Sequence, residues 1–225
     1  MILAISPHLD DVVFSCGGYL AQRRRPWHCV TVFTGSVSKP EGFALACQTD
    51  KGYGPEVDYM ALRRAEDARS VQSLGGTYEH WPLREAPHRG YASAPLLFAG
   101  TLPGDGGTVD AIVERLLPLL QSGRFTEVLY PVGAGNHVDH VQVVAAVRRL
   151  RPAFPDLQFR QYFDQPYTNK FPERTPSRVG AEVIRLSPRT AARKWGACEG
   201  YGSQVKFQFG YVGAARVLGA VEWVV

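Results

Sequence analysis

Short apolar runs alternate with amphipathic stretches along this chain, and that alternation leaves few architectures open. Met1 to Ser6 is apolar, and residues 12 to 25 then carry Val12, Val13, Leu20 and Ala21 at helix-compatible positions. Cys29 to Thr34 is β-branched and aromatic, the composition of a buried strand. Residues 60 to 74 place Met60, Ala61, Ala65, Ala68, Val71 and Leu74 near helical spacing before Gly75-Gly76 stops the run. Tyr78 to Leu83, Glu127 to Val132, Gln158 to Phe163 and Glu182 to Leu186 read as further strands. Thr108 to Gln121, His137 to Leu150 and Arg189 to Ala197 read as helices, with Pro118 demanding a kink or an early end in the first. Strand following helix predicts an α/β fold: a Rossmann-like, mostly parallel sheet with helices on both faces, in a single domain over residues 1–225.

A hydrophobic content of 45% with 20% charged residues supports one sizeable core and excludes a disordered or fibrous chain. The net charge of +4 is modest, and its peaks, Arg23-Arg24-Arg25 and Arg148-Arg149-Arg151, fall where helices are expected to end. Cations there complement the helix dipole, so no nucleic-acid partner is expected. No stretch approaches the ~20 apolar residues that cross a bilayer, and the first apolar run is too short for a signal peptide, so no membrane partner is expected either. Cys16, Cys29, Cys47 and Cys198 form no CxxC pair, which fits reduced thiols and a cytoplasmic location. A homo-oligomer stays open.

Two motifs carry the chemistry. Pro7-His8-Leu9-Asp10-Asp11 follows the first strand, and His137-Val138-Asp139-His140 follows a later one. Parallel sheets bind ligands beyond the carboxyl ends of their strands, so the motifs can meet although far apart in sequence. A hydrolytic metal needs three protein ligands, an open position and a nearby base that is not a ligand. His8 and Asp11 can bind from one tight turn, leaving Asp10 as the base. Of His137 and His140, three residues apart at a helix start, one can complete the site and the other face the substrate as an imidazolium. Asp139 can orient an imidazole through its second nitrogen. Three long Gly/Pro-rich segments, 35 to 59, 84 to 107 and 164 to 178, are expected to wall a pocket.

PHLDD followed by Cys16-Gly17-Gly18, with GNHVDH at 135 to 140, resembles the LmbE-like or PIG-L family of zinc-dependent N-deacetylases. The resemblance extends to Arg63 and Glu66, to Leu83-Arg84-Glu85, and to Lys194, Tyr201 and Ser203-Gln204, nearly the whole chain. It implies His8, Asp11 and His140 as metal ligands, Asp10 as general base, and His137 as the acid or oxyanion-stabilising histidine. Asp139 matches the acidic residue within the second motif, and Arg63 and Glu85 match positions that contact the substrate. Leu9 and Val12 depart from the family's usual proline and glutamate. Gly135 stands near where some members carry a mobile tyrosine, a role that Tyr91 or Tyr167 would have to fill.

The expected activity is therefore zinc-dependent hydrolysis of an N-acyl group, chiefly N-acetyl, on an amino sugar or a related small metabolite, an amidase reaction on a non-peptide C–N bond. Another divalent transition metal suits the same donors. Arg89, in the polar loop after the third strand, is expected to contact the substrate, and His28 and His80 are not expected to contribute. Two alternatives share the metal site: a zinc-dependent hydratase or lyase acting on an unsaturated acid, and a metal-binding protein without catalysis.

Overall fold

A computed structural model describes residues 1–210 and 213–225, the side chains of 214–216 excepted. Among the described residues the strands are β1 (Ile2–Ser6), β2 (Trp27–Thr31), β3 (Thr77–His80), β4 (Glu127–Pro131), β5 (Gln158–Tyr162), β6 (Glu182–Arg185) and β7 (Val221–Val224). They form one sheet in the order β3-β2-β1-β4-β5-β7-β6. β1 to β5 are parallel throughout, whereas β7 runs antiparallel between β5 and β6. The longer helices are α1 (Asp11–Gln22), α2 (Gly42–Thr49), α3 (Tyr59–Ser73), α4 (Thr108–Gln121), α5 (Val138–Leu150) and α7 (Pro188–Glu199). The short ones are α6 (Tyr167–Lys170), α8 (Val205–Phe209) and α9 (Gly213–Leu218).

The alternation of side chains along a strand divides the core in two. Ile2 and Ala4 of β1 face α1, α3 and α7, packing with Val12, Val13, Val71, Ala191 and Cys198. Leu3 and Ile5 point the other way, onto Ile112 and Leu116 of α4 and Val143 and Val147 of α5. Both faces of β1 are therefore dry, which is why its sequence is continuously apolar.

Several local details differ from the sequence reading. α4 runs through Pro118 to Gln121, because only one turn follows the proline and little hydrogen bonding is lost. α2 lies inside the segment read as a long loop, and β7 was not anticipated at all. Its four residues lie at a chain end and alternate with the antiparallel β6, outside the βαβ rhythm. From β1 the chain proceeds to β2 and β3 on one side, and β4 and β5 lie on the other. The β1/β4 boundary is therefore the switch point where a doubly wound sheet opens a crevice at its carboxyl edge.

Candidate active site

β1 ends at Ser6, and the next four residues form a turn that delivers the first motif to this crevice. Ser6 Oγ donates to the His8 carbonyl at 2.6 Å and accepts the Val12 amide at 3.2 Å, tying the turn to the start of α1. The Asp11 carboxylate folds back to accept the His8 amide at 2.7 Å. Asp10 precedes the helix without capping it, so its side chain is left for the crevice. β4 ends one strand away, and the following residues pass through the left-handed Gly133 and Gly135 before α5 begins. His137 Nδ1 accepts the Asp139 amide at 3.3 Å as the cap of α5.

Three donor atoms from the two motifs converge. His8 Nδ1 lies 3.3 Å from Asp11 Oδ2, His140 Nε2 lies 3.2 Å from the same oxygen, and the two nitrogens are 3.3 Å apart. Ligand bonds of about 2.0–2.1 Å at tetrahedral angles would put neighbouring ligand atoms roughly 3.3–3.4 Å apart. The trigon therefore has the dimensions of one face of a tetrahedral metal shell. The imidazoles of His8, His137 and His140 also approach within 4.8 Å of one another. Asp11 is the tighter third member, because His137 already spends Nδ1 on the helix and stands farther off.

Each imidazole of the trigon is held from behind. His8 Nε2 hydrogen-bonds Asp139 Oδ2 at 2.8 Å, and His140 Nδ1 hydrogen-bonds Asp164 Oδ1. Both arrangements leave the opposite ring nitrogen's lone pair facing the trigon. Asp164 also accepts the Gly133 and Ala134 amides at 3.0 and 3.1 Å, fixing the glycine turn. Asp164 was missed by the motif reading. Its position just past β5 was the available signal, since the other site residues also follow strand ends.

The electrostatics call for a cation. Burial opposes a charge on His140, yet Asp11 and then Asp164 lift its pKa to about 9. Burial works against the Asp11 carboxylate too, but His140 and His8 hold it well below the ordinary range. Asp10 goes the other way, to about 8, through burial and then the neighbouring Asp11 charge. The Asp10 carboxyl group accepts no hydrogen bond among the described residues. His137 is pushed down to about 3 by burial, which keeps it neutral. Burial thus favours a neutral ring over the imidazolium expected from sequence, and its Nδ1 accepts a backbone amide.

A cleft of roughly 350 Å³ opens over the trigon, lined by His8, Asp10, Asp11, His137 and Asp139. Arg63, which is buried, and Glu85, which is half-buried, line it as an ion pair. All three long segments contribute walls as expected: Phe43 and Lys51 from the first, Leu97 and Phe98 from the second, Tyr167 and Phe171 from the third. Gln204 and Phe207, in and before α8, close the cleft and were not anticipated. Tyr167 packs its ring edge-on to His140, with centroids 4.9 Å apart, whereas Tyr91 is buried with its hydroxyl on Asp105. A side chain at Gly135 would meet Phe171 Cδ2 at 2.8 Å, so Phe171 and Tyr167 occupy the space in front of that position. Arg89 is absent from the cleft lining: its guanidinium lies behind Asp139, 2.8 Å from Oδ1. His28 and His80 are engaged with Thr77 and Asp67, far from this chemistry.

The geometry agrees with what the chain is similar to. A family model described as PIG-L: GlcNAc-PI de-N-acetylase matches residues 3–150. A 2'-N-acetylparomamine deacetylase from Streptomyces fradiae is 35% identical over 174 residues, 75% of this chain and 58% of that protein. The chain thus spans less than two thirds of that relative's length. Among solved structures, a deacetylase of teicoplanin biosynthesis, bound to bog, gives a TM-score of 0.78 at 26% identity, covering 93% of this chain and 87% of its own. The A40926 pseudoaglycone deacetylase gives 0.76 at 27% identity, covering 100% and 96%. With the two motifs inside a matched region of well over half its length, the chain belongs to the PIG-L (GlcNAc-PI de-N-acetylase) family.

Proposed function

We propose that the protein is a metal-dependent N-deacylase that removes an N-acyl, foremost an N-acetyl, group from an amino sugar or a small metabolite bearing one. The observation that carries this reading is the trigon of His8 Nδ1, Asp11 Oδ2 and His140 Nε2 beside an unengaged Asp10 carboxyl. Family membership and the deacetylase relatives support it. His8, Asp11 and His140 are the proposed ligands and zinc the proposed ion, since two nitrogens and one oxygen in so compact a set suit it, although the donors also accept Fe(II), Mn, Co or Ni. The unpaired cysteines suit a cytoplasmic enzyme acting, over residues 1–225, as one unit on a small glycosylated substrate.

When bound, a divalent cation polarises the acyl oxygen and makes a water acidic enough to attack near neutral pH. In its ionised form Asp10, the more basic of the two adjacent carboxylates, accepts the proton of that water as the C–O bond forms. It returns the proton to the amide nitrogen as the C–N bond breaks, releasing the carboxylic acid and a free amine. His137 Nε2–H donates a hydrogen bond to the oxygen that gains charge, and its low pKa keeps it a neutral donor. Arg63 and Glu85, a charged pair in the cleft wall, bind sugar hydroxyls. Arg89 has no substrate contact in this scheme.

Acetate release from N-acetylglucosaminides and N-acetylated aminoglycosides by zinc-loaded protein tests the proposal. Asp10→Asn is expected to keep its metal and to lose turnover by roughly 10²–10⁴-fold. Full activity in that variant would remove the assigned base. Absorbance loss from unsaturated acids without any acetate release would replace the hydrolase by a hydratase.

A further inference from the structure

Arg89 lies in the second long segment, where its sequence position suggested a substrate contact, yet it faces the back of the metal trigon. Its Nε and Nη2 grip the two oxygens of Asp105 at 2.9 Å each. The same Nη2 lies 2.8 Å from Asp139 Oδ1 and 2.8 Å from Gln142 Oε1. Asp105 is fixed in turn by the Tyr91 hydroxyl at 2.9 Å, by Gln142 Nε2 at 2.8 Å and by Thr108 Oγ1. On the other side, Asp139 Oδ2 takes His8 Nε2 at 2.8 Å and the Ala86 amide at 3.1 Å.

We infer that Asp105 and Arg89 are positioning residues that act through Asp139 on His8 and so set how firmly the site holds its metal. The inference rests on the ligand set proposed above. A carboxylate with one oxygen anchored by Arg89 and the other by Ala86 cannot turn about its Cβ–Cγ bond. It presents Oδ2 to His8 Nε2 in a fixed direction, which keeps the proton on Nε2 and the lone pair of Nδ1 aimed at Asp11 and His140. Arg89 does what a lysine cannot: its planar fork satisfies Asp105 at two atoms and reaches Asp139 at the same time. Asp139 is fully buried and Arg89 mostly so, with 14% of its side chain exposed, so solvent screens their charge-assisted bond only in part.

The test is zinc affinity, read by competition with a chromophoric chelator, together with the visible spectrum of the cobalt(II)-loaded protein. Arg89→Gln is expected to weaken zinc binding about 10–100-fold and to alter the cobalt bands, with Arg89→Lys between it and the wild type. Arg25→Gln removes the charged partner of the buried Glu127 at the opposite end of the sheet, leaving the Tyr19 hydroxyl on it. It controls for mere destabilisation and is expected to bind zinc as the wild type does. Where Arg89→Gln does not accumulate folded, Asp105→Asn reads the same linkage with the arginine retained. Wild-type zinc affinity and an unchanged cobalt spectrum in Asp105→Asn and in any folded Arg89→Gln would overturn the inference while leaving the proposed function standing. A wild-type protein that binds neither zinc nor any other divalent transition metal would overturn both.

Discussion

His137 and His140 differ by one turn of α5, yet their surroundings separate them completely. His140 is backed by Asp164 and drawn toward positive charge, while His137 caps the helix and is driven neutral. Replacing His137 by Gln is therefore expected to lower kcat about 10²–10³-fold while zinc stoichiometry, measured by elemental analysis, stays at the wild-type value. Loss of the metal in that variant would make His137 a ligand. Asp164→Asn is expected to weaken zinc about 10–100-fold in the same chelator competition, because the ring of His140 loses its anionic partner. These two histidines, with His8, Asp10, Asp11 and Asp139, were legible because carboxylate and imidazole recur at ligand spacing within a few residues. Asp164 was not: a single aspartate in Phe163-Asp164-Gln165 has no neighbour to mark it, and its partner His140 comes after a different strand, β4.

Elements join through side chains that the linear pattern hides. Glu222 of β7 accepts the Gly18 and Tyr19 amides of α1 and pairs with Lys194 of α7 at 2.6 Å, so one carboxylate locks three elements. Both partners are essentially inaccessible, at 1% exposure of each side chain. Glu222→Gln leaves a buried ammonium without its acid, and a loss of about 3–5 kcal/mol in urea unfolding is expected. Lys194→Met leaves the carboxylate with two amide donors and is expected to cost less. The central strands β1, β2 and β4 were legible because burial on both faces makes them mostly apolar, whereas β3 and β5 carry polar, partly exposed residues. The β6–β7 ribbon was half-hidden: β6 was read as a strand although only its Ile184 is buried, while β7 went unread. The cleft walls were foreseeable as walls, because they are long and aperiodic. The identity of Phe98, Tyr167 and Phe171 as a packed aromatic set depends on tertiary approach between two such segments.

For the whole molecule, acid is the expected weakness. Asp105 and Glu85 are both held below their ordinary range against burial, Asp105 by Arg89, Thr108 and Gln142, and Glu85 chiefly by Arg63. A carboxylate depressed in the folded state stabilises fully above its unfolded pKa of about 4 and loses that contribution as pH falls through the folded value. Urea midpoints are thus expected to hold above pH 5 and to drop steeply below pH 4. Asp105→Asn should start lower at neutral pH and show a shallower acid limb; an identical limb would locate the acid sensitivity elsewhere. The antiparallel β7 has a further consequence, for the time at which the sheet can be completed. Among the described residues β6 pairs only with β7, which separates it from β5, and it emerges from the ribosome before that neighbour. Residues 182–185 must then wait, with an unpaired backbone, until 221–224 have been made, so the nascent chain carries the site-bearing strands in place while its last edge is still open.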